Sequence, residues 1–131
     1  RKDYEVKIKA GMYMDKLTDF FKILSDETRL RILILLYHRQ LCVCQICGIT
    51  GISQPNISKH LGKLRDMGVV KDEKKEQYSF YSLNITDELF VKIIEDIVNH
   101  IEYYPVLKLD VEKAKAAEKY IELMKSKVNL N

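Results

Sequence analysis

The chain is poor in the residues that break a protein into pieces or carry it through a membrane. Two prolines and five glycines in 131 residues leave little composition for flexible linkers. No apolar run is longer than Ile32 to Tyr37, far short of the ~20 residues that span a bilayer. No basic-then-apolar leader opens the chain, so a cytoplasmic protein without a membrane partner is expected. There are only three cysteines, an odd number that argues against a disulfide framework and suits a reducing compartment where thiols stay free. Neither charge sign dominates: 22 Lys and Arg face 19 Asp and Glu, for a formal net charge of +3. A nucleic-acid role would therefore have to rest on where the charge lies. What the chain does have is a hydrophobic fraction of 47%, ample for one core, and a length that fits a single domain over residues 1–131.

Apolar periodicity divides this domain into helices and one hairpin. Met14, Leu17, Phe20, Phe21 and Leu24 share one helical face, with Tyr4, Val6 and Ile8 as an irregular lead-in. Asp26 is a suitable N-cap for a buried central helix from Glu27 to about His38. A short helix over Val43 to Ile49, a turn at Gly51-Ile52 and a helix from Ser53 as N-cap to Met67 form a helix-turn-helix. Val69-Val70-Lys71 and Tyr78 to Leu83 read as strands separated by the polar stretch Asp72 to Gln77, which makes a wing. A long helix follows with Leu89, Phe90, Ile93, Ile94, Ile97, Val98 and Ile101 on its stripe. Pro105 separates it from a last helix near Val111 to Lys125. The expected fold is mainly α with a small β-hairpin, a winged helix-turn-helix.

Two constellations carry chemistry. In the helix after Ser53, the stripe Ile57, Leu61 and Leu64 faces the core, and a polar, basic surface is left outside. Gln54, Asn56 and Ser58 there offer donors and acceptors to base edges, while Lys59 and Lys63 suit phosphates and His60 is placed on the same DNA face. The wing adds Lys74 and Lys75, although its acids cancel its net charge. Immediately upstream lies Cys42-Val43-Cys44-Gln45-Ile46-Cys47, all the thiols of the chain within six residues. Thiolate sulfur selects soft or borderline metals and metalloids. Positions two apart on an ideal helix diverge by about 200° and positions three apart by about 60°. Cys44 and Cys47 are thus expected to share a face, with Cys42 at or beyond the helix start. A tetrahedral zinc site would need a fourth ligand, and His38 and His60 are better explained as a helix-end and a DNA-face residue. His100, near Glu95, Asp96 and Glu102, lacks a second histidine and reads as structural. Met12 and Met14 read as packing residues.

Leu24-Ser25-Asp26-Glu27-Thr28-Arg29-Leu30-Arg31-Ile32-Leu33 resembles the second-helix signature of the ArsR/SmtB family of metalloregulatory repressors. Ser53 to Leu61 resembles the recognition helix of that family, and Leu41 to Cys47 the trivalent-metalloid site of its arsenical-responsive members. The chain departs from the pattern at Glu27, where proline is usual, at Gln40 and Gln45, where acids are common, and at a wing tip without glycine. The resemblance implies a homodimer whose interface is formed by the N-terminal helix and the C-terminal helices of about 85–125. It also implies an inverted-repeat double-stranded DNA operator, released when As(III), Sb(III) or another thiophilic metal binds Cys42, Cys44 and Cys47, with no obligatory cofactor. The alternative on the same residues is a thiol redox sensor. A cysteine enzyme is disfavoured, because no C-x-x-C stands in a βαβ setting and no histidine lies within the motif to activate a thiol.

Overall fold

The computed structural model describes residues 14–129, with side chains described as far as residue 126. The lead-in at Tyr4, Val6 and Ile8, together with Met12, lies outside them. Helix α1 covers residues 14–24, and α2 runs Glu27–His38. Asp26 caps α2 as its chemistry requires: Oδ1 accepts the Arg29 N–H at 2.9 Å, satisfying one of the orphan donors of the first turn. Ile32 to Leu36 are all buried, so α2 is apolar on every side at its centre and has neighbours all round.

The chain then forms a two-residue strand β1, Leu41–Cys42, and the helices α3, Val43–Thr50, and α4, Gln54–Asp66. Gly51, at φ 75°, closes α3 in the left-handed conformation and donates its N–H to the Cys47 carbonyl at 2.8 Å, a turn that a Cβ would strain. Ser53 has the extended backbone of an N-cap, but its side chain makes no capping bond. The wing consists of β2, Val70–Lys75, and β3, Tyr78–Leu83. Pairing continues out to Lys75↔Tyr78. The stretch Asp72 to Gln77, expected from the sequence as a connecting loop, is therefore mostly strand, with only two residues turning. Glu76 stands at φ 58°, where glycine would be at ease. The sheet order is β1-β3-β2, and Leu41↔Tyr81 and Cys42↔Phe80 tie the cysteine segment directly to the wing.

Asp87 caps α5, Glu88–Asn99, by accepting the N–H groups of Leu89 and Phe90. A 3-10 turn at Ile101–Tyr103 leads into α6, Pro105–Ala114, and α7, Glu118–Asn129. The single last helix near Val111 to Lys125 is thus replaced by two. Pro105 opens α6 instead of holding it apart, since a proline in the first turn lacks only an N–H that would be orphaned anyway. Ala114 and Ala117, both 1% exposed, bring the turn between α6 and α7 against the main core. Around α2 the core divides in two. One cluster joins α2, α3, α4 and the wing, and the other joins Phe20 of α1, Ile34, Ile94 and Leu107. Phe20 stacks on Phe90 of α5 at 4.1 Å between centroids. Among the described residues, no helix is long and apolar enough to cross a membrane.

Candidate inducer site and nucleic-acid interface

Helix α4 presents the surface its periodicity demands. Ile57, Leu61 and Leu64 are fully buried, while Gln54, Asn56, Ser58, Lys59 and Lys63 are exposed. His60 differs from expectation. It is 9% exposed, because a residue three places after Ile57 returns to within about 60° of it and joins the edge of the buried stripe. Burial lowers its pKa, as do the nearby Arg29, Lys59 and Lys63 cations, against the opposing pull of Asp26. Lys74 and Lys75 are exposed on the wing. Lys75 Nζ already donates to Gln40 Oε1 at 2.9 Å and lies over the Phe80 ring. Arg65 reaches Asp72 at 3.6 Å, an exposed pair that links α4 to the wing and carries little energy on its own.

The three cysteines sit where β1 meets α3. Cys42 is the N-cap of α3 with extended backbone, φ −92° and ψ 170°. It therefore escapes the helical divergence that would separate it from Cys44. Its Sγ lies 3.0 Å from Cys44 Sγ, so the pair in contact is Cys42 with Cys44, whereas the helical spacing favours Cys44 with Cys47. Among the described residues no three His, Cys, Asp or Glu side chains are gathered closely enough to hold a metal ion. A three-sulfur site would need Cys47 to approach the pair. Burial, a hydrogen bond with Cys42 and the Cys42 charge push the Cys44 thiol up to about 12. Burial and Cys42 also raise Cys47. Both shifts run away from the low-pKa thiolate of a nucleophilic site.

Gln45, marked in the sequence only as a departure from the family pattern, and Gly48, which the sequence reading passed over, hold this site against the C-terminal helices. Gln45 is buried. Its Oε1 accepts the Cys42 N–H at 3.0 Å and its Nε2 donates to the Ala117 carbonyl at 3.2 Å. A carboxylate at 45 could accept the first bond but would have nothing to donate to Ala117. Gly48 is the second. A Cβ built on it would lie 2.1 Å from the Tyr120 ring, so α7 rests on α3 at a distance only glycine permits. A glycine inside a short helix was the available signal. Gly48→Ala is expected to lift Tyr120, cost about 1–3 kcal/mol of stability and raise hydrogen exchange along α7. Unchanged exchange there would contradict this packing. Cys42, Cys44 and Cys47 line a cavity together with Tyr78 of the wing, Gln54 of α4 and Tyr120 of α7, so one space adjoins the thiols, the DNA face and the C-terminal helices.

Comparison with known proteins bears on what this arrangement does. Residues 26–72 match the family described as bacterial regulatory protein, arsR family. The chain is 48% identical over 65 residues to the arsenical resistance operon repressor of Escherichia coli (strain K12), a match covering 49% of this chain and 56% of that protein. It is 41% identical over 95 residues to the cadmium resistance transcriptional regulatory protein CadC of Listeria innocua, covering 68% of this chain and 80% of that one. The fold is similar to that of reduced HlyU from Vibrio cholerae N16961, with a TM-score of 0.63 and 29% identity over 73% of this chain and 96% of that one. The chain spans between 51% and 58% of the length of the arsenical-resistance relatives it matches.

Proposed function

Starting from the bacterial arsR family of regulatory proteins, to which this chain belongs, we propose a homodimeric transcriptional repressor that leaves its operator when a trivalent metalloid binds Cys42, Cys44 and Cys47. The observation that carries this reading is the shared space of the thiols and the first residue of α4. Gln54, Asn56 and Ser58 read base edges near the helix N-terminus, and Lys59, Lys63, Lys74 and Lys75 hold phosphates and set the register. His60 is assigned no DNA contact, because its ring is buried. Two copies would present two α4 helices to the two halves of an inverted repeat, about one helical turn or a multiple apart.

The switch follows from the bond Cys42 makes with Gln45. Cys42 belongs to β1, paired with Phe80 of the wing, and its N–H is held by Gln45. Bringing Cys47 to the Cys42–Cys44 pair pulls on the start of α3, and thereby on the wing strand and on α4, so ion and DNA favour different arrangements. A coupling of about 1–3 kcal/mol changes operator affinity about 5- to 150-fold. Three thiolates around a trivalent centre carry no net charge, which limits the cost of burying it. With As(OH)3 as the incoming species, each thiol proton leaves with one hydroxide as water.

The test is to titrate the reduced protein, bound to a duplex it selects from a random pool, with As(III), Sb(III) and Cd(II) in turn. Release by As(III) or Sb(III) near stoichiometric amounts is expected. Cys42→Ser and Cys44→Ser should each retain DNA binding and lose most of the response. The 3.0 Å contact between Cys42 and Cys44 favours one second reading, in which peroxide takes two electrons and two protons from this pair, forming a disulfide and two waters. Metalloid ligation remains the leading reading, because it gives all three clustered cysteines a part, whereas a disulfide between Cys42 and Cys44 leaves Cys47 without one. Release by peroxide but not by As(III) would reverse that order.

A further inference from the structure

Resting on the reading of α4 as the DNA-reading helix, we propose that Arg29, in the first turn of α2, holds a backbone phosphate of the operator duplex beside the α4 contact surface. Its guanidinium has donors that the protein leaves open. Among the described residues, Nε is the one buried side-chain nitrogen or oxygen without a hydrogen-bond partner. Nη2 lies 3.9 Å from Asp26 Oδ2, beyond the reach of about 3.2 Å for an N–H···O bond. The other oxygen of Asp26 is already committed, accepting the Arg29 backbone N–H at 2.9 Å as the cap of α2. A guanidinium only 17% exposed and left with open donors calls for a further acceptor, because a polar group taken out of water without one costs stability.

The surroundings of Arg29 identify that acceptor. Buried His60 marks where α4 meets the start of α2, and the charges of Arg29, Lys59 and Lys63 all act on it, opposed by Asp26. On α4, Lys59 and Lys63 lie about 100° and 60° from His60, both on the same side, and both are exposed. Arg29, His60 and the two lysines therefore form one run from the first turn of α2 to the outer face of α4. Three cations with one carboxylate among them attract an anion. The anion that meets a helix turning Gln54, Asn56 and Ser58 to solvent is the phosphate backbone of the duplex it reads. A planar fork of N–H groups matches two phosphate oxygens, which an ammonium cannot do. Such a contact carries no base information and fixes how α4 enters the groove.

The experiment replaces the phosphates of a selected duplex one at a time by neutral methylphosphonate and reads the affinity of the wild-type and Arg29→Met proteins by anisotropy. At one position in each half-site the wild-type protein should lose about tenfold, the worth of a charge-assisted hydrogen bond, and Arg29→Met should lose nothing further. Elsewhere both proteins should lose alike. A partly unfolded variant binds weakly at every position, so it cannot imitate a difference confined to one. On unmodified DNA, Arg29→Met should weaken selected and random duplexes by the same factor. The slope of log affinity against log salt should become shallower by about 0.9 for each phosphate given up. Asp26→Asn keeps an oxygen to cap α2 and removes the competing charge, so it should raise affinity more in the wild-type background than in Arg29→Met. An equal rise in both backgrounds, or equal methylphosphonate losses in the two proteins at every position, overturns the phosphate contact and leaves the reading of α4 standing. Failure of the wild-type protein to select any duplex overturns that reading and this inference together.

Discussion

Phe21→Glu should leave the protomer folded yet reduce operator affinity by about a hundredfold or more. Phe21 is 49% exposed on α1, near Met14 at 58%, while Leu89 at the start of α5 is 52% exposed. These side chains lie outside both core clusters, so the protomer does not need them for its own packing. Large apolar groups left in water on two helices joined by the Phe20–Phe90 stack are suited to an interface with another protein. In the proposed repressor that protein is a second copy, and a carboxylate in its interface has no partner there. One α4 helix on one half-site loses the contacts of the other, and a hundredfold corresponds to only about 2.7 kcal/mol. Sedimentation should find single chains at low micromolar concentration with an unaltered circular dichroism spectrum, while anisotropy finds weak DNA binding. A two-chain species with full operator affinity would contradict the assigned interface.

Asp110→Ala is expected to cost about 3 kcal/mol of stability. The carboxylate, 3% exposed, accepts from Arg31 Nε at 2.8 Å and from Nη2 at 2.9 Å, and Nη2 also donates to the Thr50 carbonyl at 3.2 Å. Arg31 thereby pins α6 to α2 and to the C-terminal end of α3. Removing the carboxylate leaves a guanidinium, 17% exposed, without its counter-charge, and stranding one member of a buried pair costs about 3–5 kcal/mol. The lower end applies because the arginine keeps some solvent and one carbonyl. The double variant Arg31→Met with Asp110→Leu should recover much of the loss, since a buried pair is often replaceable by apolar side chains. Urea unfolding reads both variants. A loss below about 1 kcal/mol in Asp110→Ala would mean that α6 is held chiefly by apolar contact.

Legibility in the sequence followed the range of the interactions. The caps at Asp26, the turn at Gly51 and the stripe Ile57, Leu61 and Leu64 are local, and each is found where residue chemistry puts it. The C-terminal half of the chain depends on contacts distant in sequence. The break between α6 and α7 exists because Ala114 and Ala117 press on the core and Ala117 receives the Gln45 amide, 72 residues away, and nothing in the charged run from Val111 onward signals that. Strand β1 is two residues long, too short for any period. It exists because β3 offers it a partner, yet it determines the cysteine geometry by holding Cys42 out of the helix. His60 is buried where the sequence places it on the DNA face, because a residue at the margin of a stripe can turn either way.

The central claim is that these three cysteines carry the signal from ion to operator. The most direct measurement is operator release by As(III) from the reduced wild-type protein and from the Cys42→Ser, Cys44→Ser, Cys47→Ser triple variant, with circular dichroism confirming that the variant is folded. The account predicts equal operator binding by both proteins without As(III), release of the wild-type protein, and no release of the variant at about a hundredfold higher As(III). Release of the triple variant at wild-type concentrations would contradict it and leave the cysteines as packing residues.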